Sequence, residues 1–416
     1  MSIVGSIFSA SGALSAFGNL IASTGDNISN LNTVGFKSAV SRFADLLPSV
    51  QGDLELGHGT RLEDVTTPFQ QGAFETTSQP TDVGIQGNGY FIVNDSTGSS
   101  YYTRAGQFHL DAAGKLVNAG GLAVQGASGD ITIGVNSTIP GTPTTAVDLQ
   151  LNLDPSAETP ATSFPSADAS SASWKAGGNF SYVLPIYDSS GTAHDLTIVF
   201  RRTSSNAWEY RLLGAQRDLD PSAPTTSDLR EIAAPGSLVF TPQGDVDQAA
   251  STITGLSSVT WVNGATQATT TADVNFSGTS VFGQPFTVFS AKQDGSAAGD
   301  FINFTIGADG AIEGHYTNGS SAVLGNLVLA SFASPESLDR KGDTLFAANS
   351  ESGAAQTGTP GANGLGTLIP DTLELSTVDL AQQFVSLISS QRAFQVNSRL
   401  ITTADQMYAE AANLKT

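Results

Sequence analysis

Hydrophobic residues recur with a period of seven near the N-terminus. The apolar residues on this repeat are Ile7, Leu14, Phe17, Ile21, Ile28 and Leu31. Alternating spacings of three and four place such residues on one helix face, as the a and d positions of a coiled coil. The pattern therefore predicts a helix over residues 3–31, about 43 Å long at 1.5 Å per residue.

The C-terminal segment shows the same period with a weaker seam. Its apolar members are Leu380, Phe384, Leu387, Phe394, Ile401 and Tyr408. Gln391, Ser398 and Asp405 occupy the remaining seam positions, so the seam is only partly apolar. The pattern predicts a second helix over 376–416, with Asp371 or Ser376 as the capping residue at its start.

Between the two ends the chain has the two-residue alternation of β-strands. Three hairpins are predicted, over residues 196–212, 107–117 and 302–312, each with a polar or glycine-containing break at its centre. Residues 154–173 and 350–366 are rich in Pro, Gly, Ser and Ala and are predicted to be linkers or long loops.

These elements predict a mainly β protein with terminal α-helices. The helices would pair in a coiled-coil-like core domain, and an outer β-domain would be inserted in an inner one. The predicted divisions are 1–32 with 376–416 for the helical domain, 33–75 for a linking segment, 76–145 with 285–375 for the inner β-domain, and 146–284 for the outer β-domain.

The N-terminal helix is not expected to be stable alone. Each glycine in a helix interior costs about 1 kcal/mol relative to alanine. Four such glycines lie in this segment: Gly5, Gly12, Gly18 and Gly25. Its apolar seam must therefore be buried against a partner. Many copies of the chain packed through their terminal helices would provide that partner, and so would a coiled coil private to one monomer or one dimer. The periodicity does not separate these alternatives.

Composition narrows the function classes. The chain has 38 acidic and 17 basic residues, a formal net charge of −21, which disfavours binding to nucleic acid or anionic membranes. It has no cysteine, so disulfides, zinc–thiolate sites and thiol catalysis are excluded. No apolar run is long enough to insert in a membrane. The first basic residue is Lys37, which predicts export without a cleaved signal peptide.

No catalytic or cofactor-binding pattern emerges. The four histidines, His58, His109, His194 and His315, are far apart and lack metal-ligand spacing. The glycines of 84–89 do not follow a dinucleotide or phosphate-loop fingerprint, and no nucleophile-elbow sequence is present. We therefore expect no enzyme activity, no metal and no cofactor.

Both ends of the chain resemble one protein family. Residues 13–16 (ALSA) and 28–37 (ISNLNTVGFK), with 391–399 (QRAFQVNSR) and 402–405 (TTAD), are similar to the terminal signatures of bacterial flagellar rod and hook proteins. Residues 69–106 resemble the inner β-domain of that family, and 185–209 resemble the outer domain of its hook members.

The resemblance implies a structural subunit, exported by the flagellar export apparatus, that polymerises into a flexible hollow tube outside the cell. This tube, the hook of the basal body, would transmit torque from rod to filament. The implied partners are many copies of the chain, the distal rod protein, the hook cap and the hook–filament junction protein. The twelve apolar seam residues named above would form the polymerisation interface.

Two further interface features are predicted. Arg392 and Arg399 share a helix face and would pair with Asp26 or Asp379 of a neighbouring subunit; a solvated helix face, worth at most about 1 kcal/mol per pair, is the alternative. The segment 33–75 would lie between neighbouring subunits.

A distal rod subunit is the alternative function within the family, and a secreted β-rich adhesin is the alternative outside it.

Overall fold

The computed structural model describes residues 3–46, 49–51, 54–56, 59–165, 168–220, 222, 228–263 and 266–413. The helices are α1 (Ile3–Ser29), α2 (Ser171–Gly177), α3 (Gln216–Leu219) and α4 (Leu380–Asn413), with a 3-10 turn at Pro335–Ser337. The first strands are β1 (Val40–Asp45), β2 (Ser49–Gln51), β3 (Leu54–Leu56), β4 (Thr60–Thr66), β5 (Phe74–Thr76), β6 (Val83–Gln86), β7 (Tyr90–Asn94), β8 (Ser100–Thr103), β9 (Phe108–Leu110), β10 (Leu116–Asn118), β11 (Ala123–Gly126), β12 (Gly129–Asp130), β13 (Thr138–Ile139), β14 (Ala146–Asn152), β15 (Phe180–Tyr187) and β16 (Ala193–Arg202). The others are β17 (Ala207–Ala215), β18 (Leu229–Glu231), β19 (Gly236–Val239), β20 (Leu256–Asn263), β21 (Thr266–Asn275), β22 (Thr287–Gln293), β23 (Gly299–Ile306), β24 (Ala311–Tyr316), β25 (Ser321–Asn326), β26 (Leu329–Ser331), β27 (Asp339–Gly342), β28 (Leu345–Ala347), β29 (Gln356–Gly358), β30 (Thr367–Pro370) and β31 (Thr372–Glu374).

The chain forms two compact units. The first unit contains residues 1–135, 303–314 and 322–416, and the second contains 136–302 and 315–321. The predicted fold class is confirmed, because the protein is mostly β with α1 and α4 packed together. The finer division into four domains stays a prediction.

In the first unit, α1 packs against α4 through small and polar side chains. The buried residues of α1 are Ala10, Ala13, Ala16, Thr24 and Asn27, and those of α4 are Ser390 and Ala404. Small side chains let a neighbouring backbone approach closely, and the larger seam residues then lie at the edges of the contact.

A β-hairpin runs along α1. Strands β1 and β4 pair antiparallel, from Val40 with Thr66 to Asp45 with Thr60. The rings of Phe43 and Phe17 lie 6.0 Å apart, and a Cβ at Gly12 would lie 3.1 Å from the carbonyl oxygen of Thr60. The hairpin thus covers a side of α1 where glycine permits close approach.

The β part of the first unit contains a ten-stranded sheet whose central path is β27-β28-β8-β7-β11-β10-β9. The aromatic residues of its core meet edge to face, as Tyr102 and Phe332 do at 4.7 Å. The predicted hairpin at 107–117 is confirmed as β9 and β10, which pair Leu116 with Leu110. The segment 350–366, predicted as a linker or long loop, is a loop except for the three residues of β29, which pairs with β26.

The second unit is built around two sheets, β20-β21-β14-β22 and β15-β16-β17 with β18 and β19. The predicted hairpin at 196–212 is confirmed, and its register pairs Phe200 with Tyr210. These inward residues share one core with Trp208 and Trp261. The predicted hairpin at 302–312 is also confirmed, since β23 and β24 are neighbours in the four-stranded sheet β13-β23-β24-β25, and residues 303–314 belong to the first unit.

The second face of the β16–β17 hairpin is covered as well. Val199 and Leu213 point away from the main core. They are buried in a second, smaller core with Trp174 of α2 and with Phe164 of the preceding loop. The prediction of a linker or long loop over 154–173 is confirmed for residues 154–165 and 168–170, which form no helix or named strand, but α2 begins at Ser171 and Phe164 anchors the loop to this second core. Alternation alone did not reveal a strand buried on both faces.

Candidate functional site

The six predicted contact residues near the N-terminus are half-buried in the single subunit. They are Ile7, Leu14, Phe17, Ile21, Ile28 and Leu31. α1 ends at Ser29, so Leu31 lies just beyond the helix. The neighbouring Phe8 is 71% exposed. Pairing with α4 and the β1–β4 hairpin thus leaves part of this apolar surface uncovered.

α4 leaves more apolar surface uncovered than α1 does. Of its predicted residues, Leu387 and Ile401 are half-buried. The exposed ones are Leu380, Phe384, Phe394 and Tyr408. Further large apolar residues of α4 that are exposed are Val385, Ile388, Val396, Leu400 and Met407. We call these nine exposed residues the α4 apolar surface.

This exposure follows from the orientation of α4 about its own axis. Gln383, Ser390, Asn397 and Ala404, each seven residues after the last, are buried or half-buried. The side of α4 that packs inside the subunit is therefore largely polar. Leu387 and Ile401 lie beside it, whereas Phe384 and Phe394 are turned towards solvent. The sequence pattern did not show which face of α4 packs inside the subunit, and Ser390 was not among its seam positions.

The predicted capping residues of α4 are wrong. Asp379 begins the helix, because its Oδ1 accepts a hydrogen bond from the backbone N–H of Gln382 at 3.1 Å. A carboxylate in this position also interacts favourably with the helix dipole. Asp371 has a left-handed backbone with φ of 52°, and the Ser376 hydroxyl accepts a hydrogen bond from Val378, before the helix starts. Asp379 thus has a local role that the sequence did not show.

The other three charged residues of the predicted ion pairs differ in their surroundings. Asp26 Oδ2 lies 3.9 Å from Arg340 Nη1, and Asp26 Oδ1 accepts a hydrogen bond from Asn30 at 3.1 Å. Arg392 and Arg399 are exposed on α4, and in the part of the chain that the structure describes neither lies within 4.0 Å of a carboxylate. The single subunit thus leaves both guanidinium groups available to a partner.

A buried charge cluster joins the exit of α1 to the entry of α4. Lys37 Nζ lies 2.5 Å from Glu374 Oε1, and Arg104 Nη1 lies 3.3 Å from Glu374 Oε2. Lys37, Glu374 and Arg104 are 1%, 0% and 5% exposed. Glu374 also accepts the N–H of Gly72 at 2.7 Å, so the carboxylate has donors on both oxygens.

The backbone around this cluster is equally close-packed. The N–H of Gly35 donates to the carbonyl of Glu374 at 2.7 Å. Gly35 has φ of 69°, and a Cβ there would lie 2.5 Å from the backbone N of Ala105. Only glycine meets both conditions. The cluster therefore holds the segment after α1, the end of β8 and strand β31 in one place.

Burial shifts the pKa of Lys37 and that of the neighbouring Tyr90. Desolvation lowers the pKa of Lys37, and the neighbouring Glu374 opposes that change by charge and hydrogen bond. Burial raises the pKa of Tyr90, whose ring centroid lies 5.4 Å from the Arg104 guanidinium carbon. Removing one member of such a group leaves an uncompensated charge in the interior, which is strongly destabilising. Sequence reasoning missed this cluster, and Lys37, an isolated lysine after 36 residues without a basic side chain, was the only hint.

Asn27 fixes α1 to both of its neighbours. Its Nδ2 donates to the carbonyl of Ala39 at 2.9 Å, and its Oδ1 accepts from the N–H of Ala39 at 2.8 Å. Nδ2 also lies 3.2 Å from Oε1 of Gln383 on α4. One buried amide thus sets where the β1–β4 hairpin starts on α1 and where α4 begins beside it.

The remaining chemistry of the described residues is sparse. His109 is exposed, His315 is half-buried and His194 is buried between two aspartates, while His58 lies outside the described residues. Within the described ranges, no three His, Asp or Glu side chains are grouped so that they would hold a metal ion. None of the described helices is long and apolar enough to cross a membrane.

Three family models match the chain. Residues 84–152 match the flagellar hook protein FlgE/F/G D1 domain, 150–296 match the flagellar basal body protein FlaE D2 domain, and 370–414 match the flagellar basal body rod FlgEFG protein C-terminal region. The matched regions cover β-rich parts of both units and α4. They define the class of rod and hook proteins to which the chain is similar.

Full-length relatives make the family more specific. The flagellar hook protein FlgE of Escherichia coli (strain K12) is 35% identical over 94% of this chain and 95% of the relative. FlgE of Brucella suis biovar 1 (strain 1330) is 30% identical over 100% of both chains, and FlgE of Treponema pallidum (strain Nichols) is 31% identical over 94% and 95%. A crystal structure of Helicobacter pylori flagellar hook protein FlgE2 gives a TM-score of 0.48 at 14% identity over 72% of this chain and 100% of that one. The chain belongs to the flagellar hook protein family.

Proposed function

We propose that this chain is a structural subunit that polymerises through its terminal helices into the flagellar hook, a hollow flexible tube that transmits torque from rod to filament. The chain is a hook component of the flagellum and not an enzyme, and the comparisons favour the hook over a distal rod subunit or an adhesin. The α4 apolar surface carries the proposal.

The free energy available from burying the α4 apolar surface favours assembly of many subunits over an α1–α4 pair that stays within one monomer. Burying a large apolar side chain fully contributes about 1.5–3 kcal/mol, so burying the exposed halves of nine residues contributes on the order of 10 kcal/mol per subunit before ordering costs. α4 already has α1 beside it, yet its phenylalanines at 384 and 394 stay exposed. A second copy of the same surface is the simplest cover for them.

The predicted ion pairs remain part of the proposal. Arg392 and Arg399 have no carboxylate within 4.0 Å among the described residues, and the ion pair of Asp26 with Arg340 is long, at 3.9 Å. Asp26 can therefore exchange its partner for an arginine of a neighbour at little cost. Asp379 is the less suitable acceptor of the two, because its carboxylate caps α4.

The segment 33–75 is proposed to lie between neighbouring subunits. Large apolar side chains of its hairpin, and of the residue that follows β1, are partly exposed. They are Val40, Phe43, Leu46 and Val65. Leu47 and Pro48 of the same segment lie outside the described residues. With these apolar side chains exposed beside α1, the segment 33–75 would add to the contact area between subunits that the terminal helices provide.

The proposal keeps the predicted domains and partners. Residues 1–32 with 376–416 would line the tube, and 76–145 with 285–375 and 146–284 would be its inner and outer β-domains. The distal rod protein, hook cap, hook–filament junction protein and export apparatus are proposed from the resemblance. An extracellular position follows from the same family assignment, and export without a cleaved signal peptide stays a prediction.

Sedimentation of purified full-length chain tests the proposal. Ile388→Asp on the α4 apolar surface should abolish tubes while leaving the unfolding midpoint of the monomer unchanged, since Ile388 is already half-exposed. Val183→Asp is the matched control, because Val183 is equally exposed but lies on β15 of the second unit. Normal tubes from Ile388→Asp, or loss of tubes in both variants, would contradict assembly through the terminal helices.

A further inference from the structure

His194 of the second unit lies between two carboxylates. Its Nε2 is 3.0 Å from Oδ2 of Asp188, and its Nδ1 is 3.1 Å from Oδ2 of Asp218. The imidazole is 4% exposed. Asp188 belongs to the turn between β15 and β16, whereas Asp218 lies on α3, so the ring connects two elements that are separated in the chain.

This geometry defines the proton count of the ring. An ionised carboxylate only accepts hydrogen bonds, and a neutral imidazole has one N–H. Oδ1 of Asp188 already accepts from the N–H and hydroxyl of Ser190 and from the N–H of Thr192, at 2.7–2.9 Å. Asp188 is thus surrounded by donors. Both contacts of His194 are satisfied together only when both ring nitrogens carry a proton.

A tryptophan stacks on the same ring. The centroids of His194 and Trp261 are 4.2 Å apart with an interplanar angle of 7°. A cation on an indole face is favoured electrostatically, most of all away from water. Trp261 is itself held, because its Nε1 donates to Thr270 at 2.9 Å and a Cβ at Gly214 would lie 3.0 Å from its ring.

The other charged groups near His194 do not replace these contacts. Arg217 Nε lies 3.4 Å from Oδ1 of Asp218, and its own side chain is largely exposed. Asp195, the next residue on β16, and Asp273 of β21 are exposed. Strand β20, which supplies Trp261, has no ionisable residue.

α3 is a very short helix that needs tertiary contacts. It has four residues and no side-chain capping hydrogen bond at its start, and Leu219 packs against the main core of the unit. A helix this short is not stable without tertiary contacts. The ring of His194 is therefore a polar tether between α3 and the β15–β16 turn.

We propose that His194, as the imidazolium, is a pH-dependent clasp that fixes α3 in the second unit. When the ring loses one proton, a bare nitrogen faces one of the two carboxylates. Asp188 keeps its three other donors, so the contact with Asp218 is the one that opens. α3 is then released, and this part of the unit loosens in alkaline medium and closes again on acidification. This property is independent of the proposed polymerisation.

Hydrogen exchange on the full-length chain tests the clasp. The reporter is the amide of Asp220, which donates to the carbonyl of Gln216 at 2.8 Å. After correction for the intrinsic rate, opening of α3 should increase with pH by up to about tenfold per pH unit, since one proton is released. His194→Gln should remove this dependence. His109→Gln, at an exposed histidine of the first unit, should keep it. A dependence that persists in His194→Gln, or none in the wild type from about pH 5 to 9, overturns the proposal.

A second measurement does not require any variant to fold. Nitrogen-15 NMR of the His194 ring distinguishes the imidazolium from either neutral tautomer. In acidic medium, where the clasp is closed, the wild type should show protons on both ring nitrogens. A ring with one bare nitrogen while the amide of Asp220 is still protected from exchange would overturn the clasp.

Discussion

The second unit and the terminal helices treat their large apolar side chains in opposite ways. Trp174, Trp208 and Trp261 are 0% exposed in the second unit, whereas Phe8 on α1 and Val385 on α4 are 71% and 65% exposed. Both regions have regular secondary structure and a periodic apolar pattern. They differ in whether the large apolar side chains of that pattern are buried by other residues of the same subunit.

The comparison shows that order in a subunit and completeness of its core are separate properties. The second unit buries both faces of its β16–β17 hairpin, so its sheet needs nothing more. α4 packs inward through Gln383, Ser390 and Asn397 and keeps its apolar surface outside. The second unit contains a finished core, whereas the terminal helices leave large apolar side chains exposed in the single subunit.

We expect the largest effect from a substitution in the buried core of the second unit. Trp208→Ala should lower the free energy of unfolding of the second unit by about 3–5 kcal/mol, because it removes a fully buried indole and leaves a cavity. Val385→Ala on α4 should change monomer stability by less than about 0.5 kcal/mol. Urea unfolding of the monomer measures both. Similar losses in the two variants would erase the contrast between the regions.

The charge cluster beneath the helices should respond almost as strongly. Glu374→Gln leaves Lys37 and Arg104 buried without a carboxylate, and the expected loss is about 3–5 kcal/mol. The control is Asp130→Asn, since Asp130 pairs with Lys115 at 2.7 Å near the surface. That change should cost at most about 1 kcal/mol. A cost below 1 kcal/mol for Glu374→Gln would show that the cluster does not stabilise the first unit.

A smaller effect concerns the start of α4. Asp379→Ala should lower stability by about 1 kcal/mol and reduce helix content by circular dichroism, because the N–H of Gln382 loses its acceptor. Asp371→Asn keeps a residue that tolerates the left-handed backbone and should have almost no effect. If Asp371→Asn proved the costlier change, the assignment of Asp379 as the cap would be wrong.

The smallest expected effect has the opposite sign. Asp343 and Thr344 connect β27 to β28 with φ of 49° and 58°, and a β-branched residue in this conformation is strained. Thr344→Gly should stabilise the first unit by about 1 kcal/mol without moving the transition of the second. Thr260→Gly, in the middle of β20, should destabilise the second unit instead. Stabilisation by both changes, or by neither, would refute strain at Thr344 as the cause.

Local patterns in the sequence predicted most of the elements. Heptad spacing predicted the two terminal helices, and alternation predicted the β9–β10, β16–β17 and β23–β24 hairpins. These signals arise from neighbours within one turn or one strand, so a single sequence contains them. The pairing of Phe200 with Tyr210 is one such short-range feature.

The sequence did not reveal features that depend on distant partners. Which face of α4 points inward is decided by α1 and the hairpin, and this turned Ser390 inward and Phe384 outward. Glu374 is 337 residues from Lys37, and no local pattern relates them. His194 likewise looked isolated, because Asp218 and Trp261 approach it only in the folded unit. The predicted interface residues and domain limits stay predictions.

The position of Glu374 in the chain has a consequence for the order of folding. Two cations, one from the exit of α1 and one that follows β8, are buried against this one carboxylate. Desolvating Lys37 and Arg104 without it is costly, so the β part of the first unit is not expected to close around them before residue 374 has joined the fold. The first unit therefore depends on a contact between residues that are 337 positions apart, and its closure is a late rather than a local step.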